Sequence, residues 1–375
     1  MIEGNFQWLR TGDEAFAAML AALEAARQSV RLETYIFAGG PLGARFREAL
    51  VKASQRGVRV QVLVDAWGSF SLSGDFWTPL RKAGGDFRWF NPLNFKRITF
   101  RDHRKMLVCD ESVAFVGGLN IAPEYEGDGI NRGWRDLGLR TSGSLARDLA
   151  AAFDFMFARA NWEHPPFTRL RKAAARQAIP APEGELLLSG PGRGRNAIKR
   201  ALQADFDQAG SVRLIAAYFL PTSRLRRALA RLARRGGQVQ LILPRKTDVP
   251  ASRLASHSFY QWFLAAGIEI YEYCPQVLHT KLVVTDKACH VGSSNLDARS
   301  LHINYELMLR FTDPRRVEEA HGIFQDHLAR SERIDAETWR RTRTLWTKLR
   351  ESWAQFVLDR LDPLFTRSQL RWWRP

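Results

Sequence analysis

At 375 residues, with 45% apolar and 25% charged side chains, the chain is long enough for two domains and has a globular composition, which excludes a disordered, collagen-like or coiled-coil protein. Its 56 Lys and Arg exceed its 39 Asp and Glu, and the net charge of +17 calls for a polyanionic partner, either nucleic acid or an anionic membrane surface. Cys109, Cys274 and Cys289 lack CxxC or zinc-ligand spacing and read as buried thiols in a reducing compartment. With no basic-then-apolar start and no run of about 18 apolar residues, neither a standard export signal nor a membrane span is expected.

The spacing of Phe16, Met19, Leu20, Leu23 and Ala26 predicts an amphipathic helix over 12–30. A strand over 30–37, a helix over 46–55 and a buried strand over 58–64 follow, an alternation that implies parallel pairing in an α/β sheet. Further strands are expected at 87–90, 105–109 and 112–116, the last two joined by a turn at Asp110-Glu111. The plan then repeats. Val212-Arg-Leu echoes Val30-Arg-Leu, and Gly237-Gln-Val-Gln-Leu-Ile-Leu echoes Gly57-Val-Arg-Val-Gln-Val-Leu. His279-Thr-Lys-Leu-Val-Val-Thr-Asp286 echoes His103-Arg-Lys-Met-Leu-Val-Cys-Asp110, nearly half a chain length apart. Solenoid periods are roughly 20–50 residues, so a repeat this long marks a duplicated domain. The basic, Pro-containing stretch 172–184 is the expected junction, giving units 1–178 and 179–333 and a basic tail 334–375.

In each half a His and a Lys two positions apart on an apolar strand project from the same face. An Asp follows the Lys, and then a Gly-rich turn ends in Asn: Gly117-Gly-Leu-Asn120 and Gly292-Ser-Ser-Asn295. A single His on an apolar strand would ordinarily be a hydrogen-bonded core residue, but two at equivalent places imply a shared task. Paired imidazoles, ammonium groups and amides suit a tetrahedral oxyacid. One histidine would attack phosphorus, the other would move the proton, and the cations would hold the non-bridging oxygens. No metal or cofactor is called for.

HxKxxxxD followed by GGxN or GSxN, present twice, resembles the phospholipase D superfamily. Leu32-Glu-Thr-Tyr-Ile-Phe37, Arg101-Asp-His-Arg-Lys105, Trp134-Arg-Asp136 and Val291-Gly-Ser-Ser-Asn-Leu-Asp297 resemble bacterial cardiolipin synthases in particular. The resemblance implies two duplicated α/β/α sandwich domains related by a pseudo-two-fold axis, with the active site at their interface. It also implies that His103, Lys105 and Asp110 with His279, Lys281 and Asp286 form the catalytic motif, His103 being the usual nucleophile, although a two-fold site leaves either order open. Asn120, Asn295 and Ser293 would lie on the substrate side, together with Asp136 and Glu306, carboxylates suited to orienting a histidine. Gly118 stands where the second half has Ser293. Asp110 and Asp286 are expected to shape turns without touching substrate, while Glu33 is expected either paired near the site or at an exposed strand end.

Trp339, Trp346 and Trp353 recur every seven residues among Arg340, Arg341, Arg343, Lys348 and Arg350, a pattern that suits an anionic bilayer interface or a helix packed on the body. Leu361, Leu364, Phe365 and Arg371-Trp-Trp-Arg374 extend it. Arg226, Arg227, Arg231, Arg234 and Arg235 read as the solvated face of one helix, and no nucleic-acid module is evident. The resulting expectation is a phosphatidyltransferase, peripheral on the cytoplasmic face of a bacterial inner membrane. It would act on phospholipids such as phosphatidylglycerol, with no oligomer required. A phospholipase D hydrolase, a nuclease and a non-catalytic lipid-binding module are the alternatives.

Overall fold

The computed structural model describes residues 6–92, 100–160, 177–191 and 196–358. One sheet joins β1 (Phe6–Leu9), β2 (Ser29–Thr34), β3 (Arg59–Asp65), β4 (Asp86–Phe90), β5 (Met106–Cys109), β6 (Val113–Gly117) and β7 (Gly138–Ser142) in the order β1-β7-β6-β5-β2-β3-β4. The second contains β8 (Ala178–Ala181), β9 (Gly184–Ser189), β10 (Ser211–Ile215), β11 (Gln238–Pro244), β12 (Glu269–Tyr273), β13 (Leu282–Thr285), β14 (Cys289–Gly292), β15 (Glu306–Phe311) and β16 (Ser331–Arg333). From β9 to β12 its order, β9-β15-β14-β13-β10-β11-β12, repeats that of the first sheet, and β8 and β16 extend its two edges. The duplication is therefore visible in strand order.

Five layers result. Helices α1 (Gly12–Ala25), α2 (Pro41–Gln55) and α3 (Thr78–Lys82) cover the outer face of the first sheet, burying Phe16, Leu23, Phe46 and Leu50. Between the sheets lies a shared core that holds Phe153 of α4 (Ser144–Phe157) together with Leu307 and Phe324 of the second half. On the far face α5 (Ala197–Gln208), α6 (Ser223–Arg234) and α7 (Pro250–Ala265) pack through Leu202, Leu229 and Phe263. The second half is completed by α8 (Ala298–His302) and α9 (Pro314–Leu328), and α10 (Ala336–Thr342) and α11 (Leu345–Phe356) follow.

Four expectations change. Only β2-β3-β4 and β10-β11-β12 pair in parallel. The histidine-bearing segments lead into antiparallel strands because β5 and β6 are joined by a tight turn with Asp110 and Glu111 at φ 53°, too short for a crossover. The strand expected over 30–37 ends at Thr34, and its counterpart beginning at the echoed Val212-Arg-Leu ends at Ile215. The chain then folds over the sheet end, where Phe37 bridges Ile121 and Phe219 bridges Leu296. Part of the expected junction is the hairpin β8–β9, paired onto the second sheet, and residues 172–176 lie outside the described set. Cys109 and Cys289 are buried, but Cys274 is only half-buried, at the end of β12. Among the described residues no helix is long and apolar enough to cross a membrane.

Candidate active site

His103 and Lys105 lie just before β5, and His279 and Lys281 just before β13. These approach segments pair with the opposite half of the molecule. His103 N donates to Tyr305 O (3.0 Å) and Tyr305 N donates to Arg101 O (2.9 Å). Equivalently, Arg135 N donates to Val277 O (2.8 Å) and His279 N to Arg135 O (2.7 Å). The residue after each partner is a carboxylate. Glu306 comes within 3.0 Å of His103 Nδ1, and Asp136 Oδ2 lies 2.6 Å from His279 Nδ1. Each half thus orients the other half's histidine. An acceptor on Nδ1 fixes the ring and leaves Nε2 for chemistry.

The cations converge on the same point. Lys105 Nζ donates to His103 O (2.6 Å), and Lys281 Nζ sits 2.8 Å from the His279 ring. Asn295 is buried, and its Oδ1 lacks a hydrogen-bond partner among the described residues. That oxygen cannot itself accept from a phosphodiester, but the amide on the same flat group turns easily toward one. Two residues expected on the substrate side are otherwise engaged. Asn120 accepts from Ile36 N through Oδ1 and donates to the Tyr125 hydroxyl (2.8 Å), and Ser293 Oγ donates to Glu306. Ser293 therefore steadies the carboxylate that steadies His103. Gly118 cannot do likewise, because a Cβ there would lie 2.3 Å from Asp136 Oδ1.

Asp110 and Asp286 end the motif at the opposite end of their strands, roughly 15 Å from the lysines at about 3.3 Å per residue. Asp110 accepts from the backbone of Arg27, Gln28 and Ser29, and Asp286 from Gly210 and Ser211. Counted with the catalytic motif in the sequence, both tie strand ends together. Glu33 is fully buried and paired with Arg104 (3.0 Å), next to the Asp65–Arg101 pair beneath the His103 loop.

Both histidines are nearly closed off, His103 being 8% and His279 3% exposed. Burial, then Lys105 and Lys281, holds His103 well below the usual imidazole range; burial and Lys281 lower His279. Burial also lowers Lys105 to about 7 and Lys281 to about 8, and raises Glu306 to about 8. Burial thus disfavours the charged forms of both histidines, both lysines and Glu306, and a phosphodiester anion would recharge the lysines.

Three tyrosines were not anticipated from the sequence. Tyr35 packs edge-on against His103 (5.0 Å between rings), and Tyr218 flanks His279 (6.1 Å) with its hydroxyl on Asp248. The Tyr125 hydroxyl lies 3.4 Å from a His279 ring nitrogen. Its position, five residues after Asn120, is the counterpart of Ser300, five after Asn295, which hydrogen-bonds Glu306. That symmetry was the available signal.

The model of the cardiolipin synthase, phospholipase D-like domain matches residues 19–128 and again 202–328. The chain belongs to this family. As a phospholipase D-like protein it carries two copies of the domain, the two sheets described above. It is 30% identical to cardiolipin synthase 1 of Bacillus anthracis over 93% of this chain and 71% of that protein. To cardiolipin synthase B of Salmonella typhi it is 33% identical, over 83% of this chain and 77% of that one. Its share of the Geobacillus kaustophilus cardiolipin synthase is 64%. Phosphatidylserine synthase of Haemophilus influenzae Rd KW20 shares the fold, with a TM-score of 0.74 and 16% identity over 96% of this chain and 95% of that one.

Proposed function

We propose that the protein is a phosphatidyltransferase of the cardiolipin synthase type. His103 Nε2 attacks the phosphorus of a phospholipid, forming a P–N bond as the bond to the headgroup oxygen breaks. His279, protonated on Nε2 once Asp136 and the bound phosphodiester anion balance its charge, gives its proton to that leaving alcohol. A hydroxyl of phosphatidylglycerol then gives its proton to His279 and attacks the phosphohistidine, restoring His103 and yielding cardiolipin. Lys105 and Lys281 hold the non-bridging oxygens throughout, assisted by the Asn295 amide. One phosphodiester replaces another, so nucleotide energy is not consumed. The reciprocal pairing of His103 with Glu306 and of His279 with Asp136 carries this reading, together with the surroundings that keep His103 neutral. Because one chain holds both half-sites, the chemistry needs no second copy. The units 1–178 and 179–333 serve as the two catalytic halves.

The reading includes a peripheral position on an anionic membrane, at the cytoplasmic face of a bacterial inner membrane. Support comes from α11, which is inside out. It turns Glu351 and Ala354 toward the body and leaves Trp346 (69%) and Trp353 (70%) exposed, beside Lys348 and Arg350. Trp339 instead packs on Tyr260 and His257. Residues 359–375, with Leu361, Leu364, Phe365 and Arg371 to Arg374, lie outside the described set.

The test incubates the full chain with labelled phosphatidylglycerol vesicles and separates the lipids. Cardiolipin and glycerol are expected, with His103→Ala and His279→Ala folded but inactive. Phosphatidic acid would make the protein a hydrolase. DNA cleavage without lipid turnover would make it a nuclease, and activity in either mutant would overturn the shared site.

A further inference from the structure

The side chains covering the two histidines lead outward to two exposed apolar surfaces. On the first half, the loop after β3 is anchored by the buried Asp65, whose Oδ1 accepts from Trp67 N (2.9 Å) and Gly68 N (3.0 Å). Ser69 Oγ donates to Tyr35 O, and a Cβ on Gly68 would stand 2.8 Å from the Tyr35 ring, which packs on His103. This pinned loop therefore sits directly on the cover of His103, and it presents Trp67 (46% exposed) and Phe70 (76%) to solvent.

On the second half, Tyr218 covers His279 and its hydroxyl holds Asp248 in the loop after β11. Two residues after Tyr218, Leu220 shares a small buried cluster with Ala255 of α7 and Ala354 of α11, a helix whose outer face carries Trp346, Leu349, Trp353 and Phe356. Each apolar surface is thus tied by contacts to the cover of one histidine, one on each half, and the two covers, Tyr35 and Tyr218, lie close enough to interact electrostatically. An exposed Phe on a backbone held this firmly gains nothing in water, and isolated apolar residues are common on surfaces. Here one exposed set adjoins the cover of each histidine, and the set on α11 is fringed by Lys348 and Arg350, with Arg340 and Arg341 on the preceding α10, charges that complement anionic lipid.

We infer that Trp67 and Phe70 form a second membrane insert, which acts with the outer face of α11 to seat the mouth of the site on an anionic phospholipid bilayer. Two contacts flanking the mouth fix its orientation. A lipid can then raise its phosphodiester between Tyr35 and Tyr218 while its acyl chains stay in the bilayer. The inference builds on the membrane reading above and adds a face of the first half to it.

The experiment compares the wild-type chain, Phe70→Asp and Phe70→Leu. Co-sedimentation uses vesicles of phosphatidylglycerol and phosphatidylcholine in equal parts, and turnover is measured on the same vesicles and on monomeric dihexanoyl phosphatidylglycerol. Phe70→Asp should weaken vesicle binding about tenfold, the loss of one part-buried aromatic anchor, and lower vesicle turnover in parallel. Turnover of the monomeric lipid should not change, and Phe70→Leu should retain binding. Unchanged vesicle binding by Phe70→Asp overturns the inference. So does a dimer that Phe70→Asp dissolves while vesicle binding persists, which would assign the patch to a second copy. Binding is read without turnover, so an inactive wild type that binds vesicles through Phe70 would refute the proposed reaction and leave this surface standing.

Discussion

Glu306 follows His103 by 203 residues and lies 3.0 Å from its Nδ1. Asp136 precedes His279 by 143 residues and lies 2.6 Å from its Nδ1. Replacing either carboxylate by its amide keeps the shape, removes the charge and turns one acceptor oxygen into an NH2 donor, so the ring tautomer is no longer fixed. Glu306→Gln and Asp136→Asn should each lower kcat about 10³- to 10⁴-fold with KM little changed and circular dichroism intact, the size of loss seen when a histidine loses its carboxylate in other enzymes. A loss under tenfold in both would show that the rings need no such partner.

Gly118 and Ser293 occupy equivalent places with opposite tolerance for a side chain. Gly118→Ala should push Asp136 off His279 and cost on the order of 10²-fold in kcat, as misplacement of a catalytic group by about 1 Å does. Ser293→Ala removes the hydrogen bond to Glu306 and those to the Leu307 backbone without crowding the carboxylate, and should cost roughly tenfold. Steady-state kinetics of the two variants on phosphatidylglycerol vesicles decides the order.

The lysines set the alkaline limit. With Lys105 lowered to about 7 and Lys281 to about 8, their charged, phosphate-binding forms are lost from the free enzyme as pH rises through that range. The profile of kcat/KM should therefore fall between about pH 7 and 9, and Lys281→Arg, which leaves Lys105 to titrate alone, should make the limb less steep above about pH 8. An anionic phosphodiester analogue should bind with proton uptake near pH 8, measured by calorimetry in buffers of different ionisation enthalpy. Proton release would contradict the assignment.

Asp110 should matter to stability alone. Its carboxylate accepts three backbone N–H groups, which lower its pKa. The stabilisation it provides is present above the ordinary carboxyl pKa near 4 and is lost as pH falls through the lowered value. Asp110→Asn should reduce Tm by a few °C at pH 7, from about 1–2 kcal/mol of lost charge-assisted hydrogen bonding, with the difference shrinking on acidification and specific activity unchanged. A large drop in kcat would return Asp110 to the catalytic set.

Much of this molecule is legible in one dimension. The alternating strands, the doubled His-x-Lys and the halfway repeat are local patterns, because side-chain direction follows backbone period and a duplication copies that pattern whole. What lies between the halves was not legible. Asp136 and Glu306 were recognisable as carboxylates suited to histidines, but their crossing depends on which backbone edges meet, at Arg135–Leu278 and Asp102–Tyr305. The hydrogen bonds that Asn120 and Ser293 make, to Tyr125 and to Glu306, were equally hidden, because they depend on how each turn closes on the site. In α11 the heptad of tryptophans was plain, yet its direction was decided by Glu351 and Ala354 taking the inner face. Periodicity records which residues share a side. Only tertiary packing decides what that side meets, because burial, hydrogen bonding and the resulting proton affinities are set by neighbours distant in sequence.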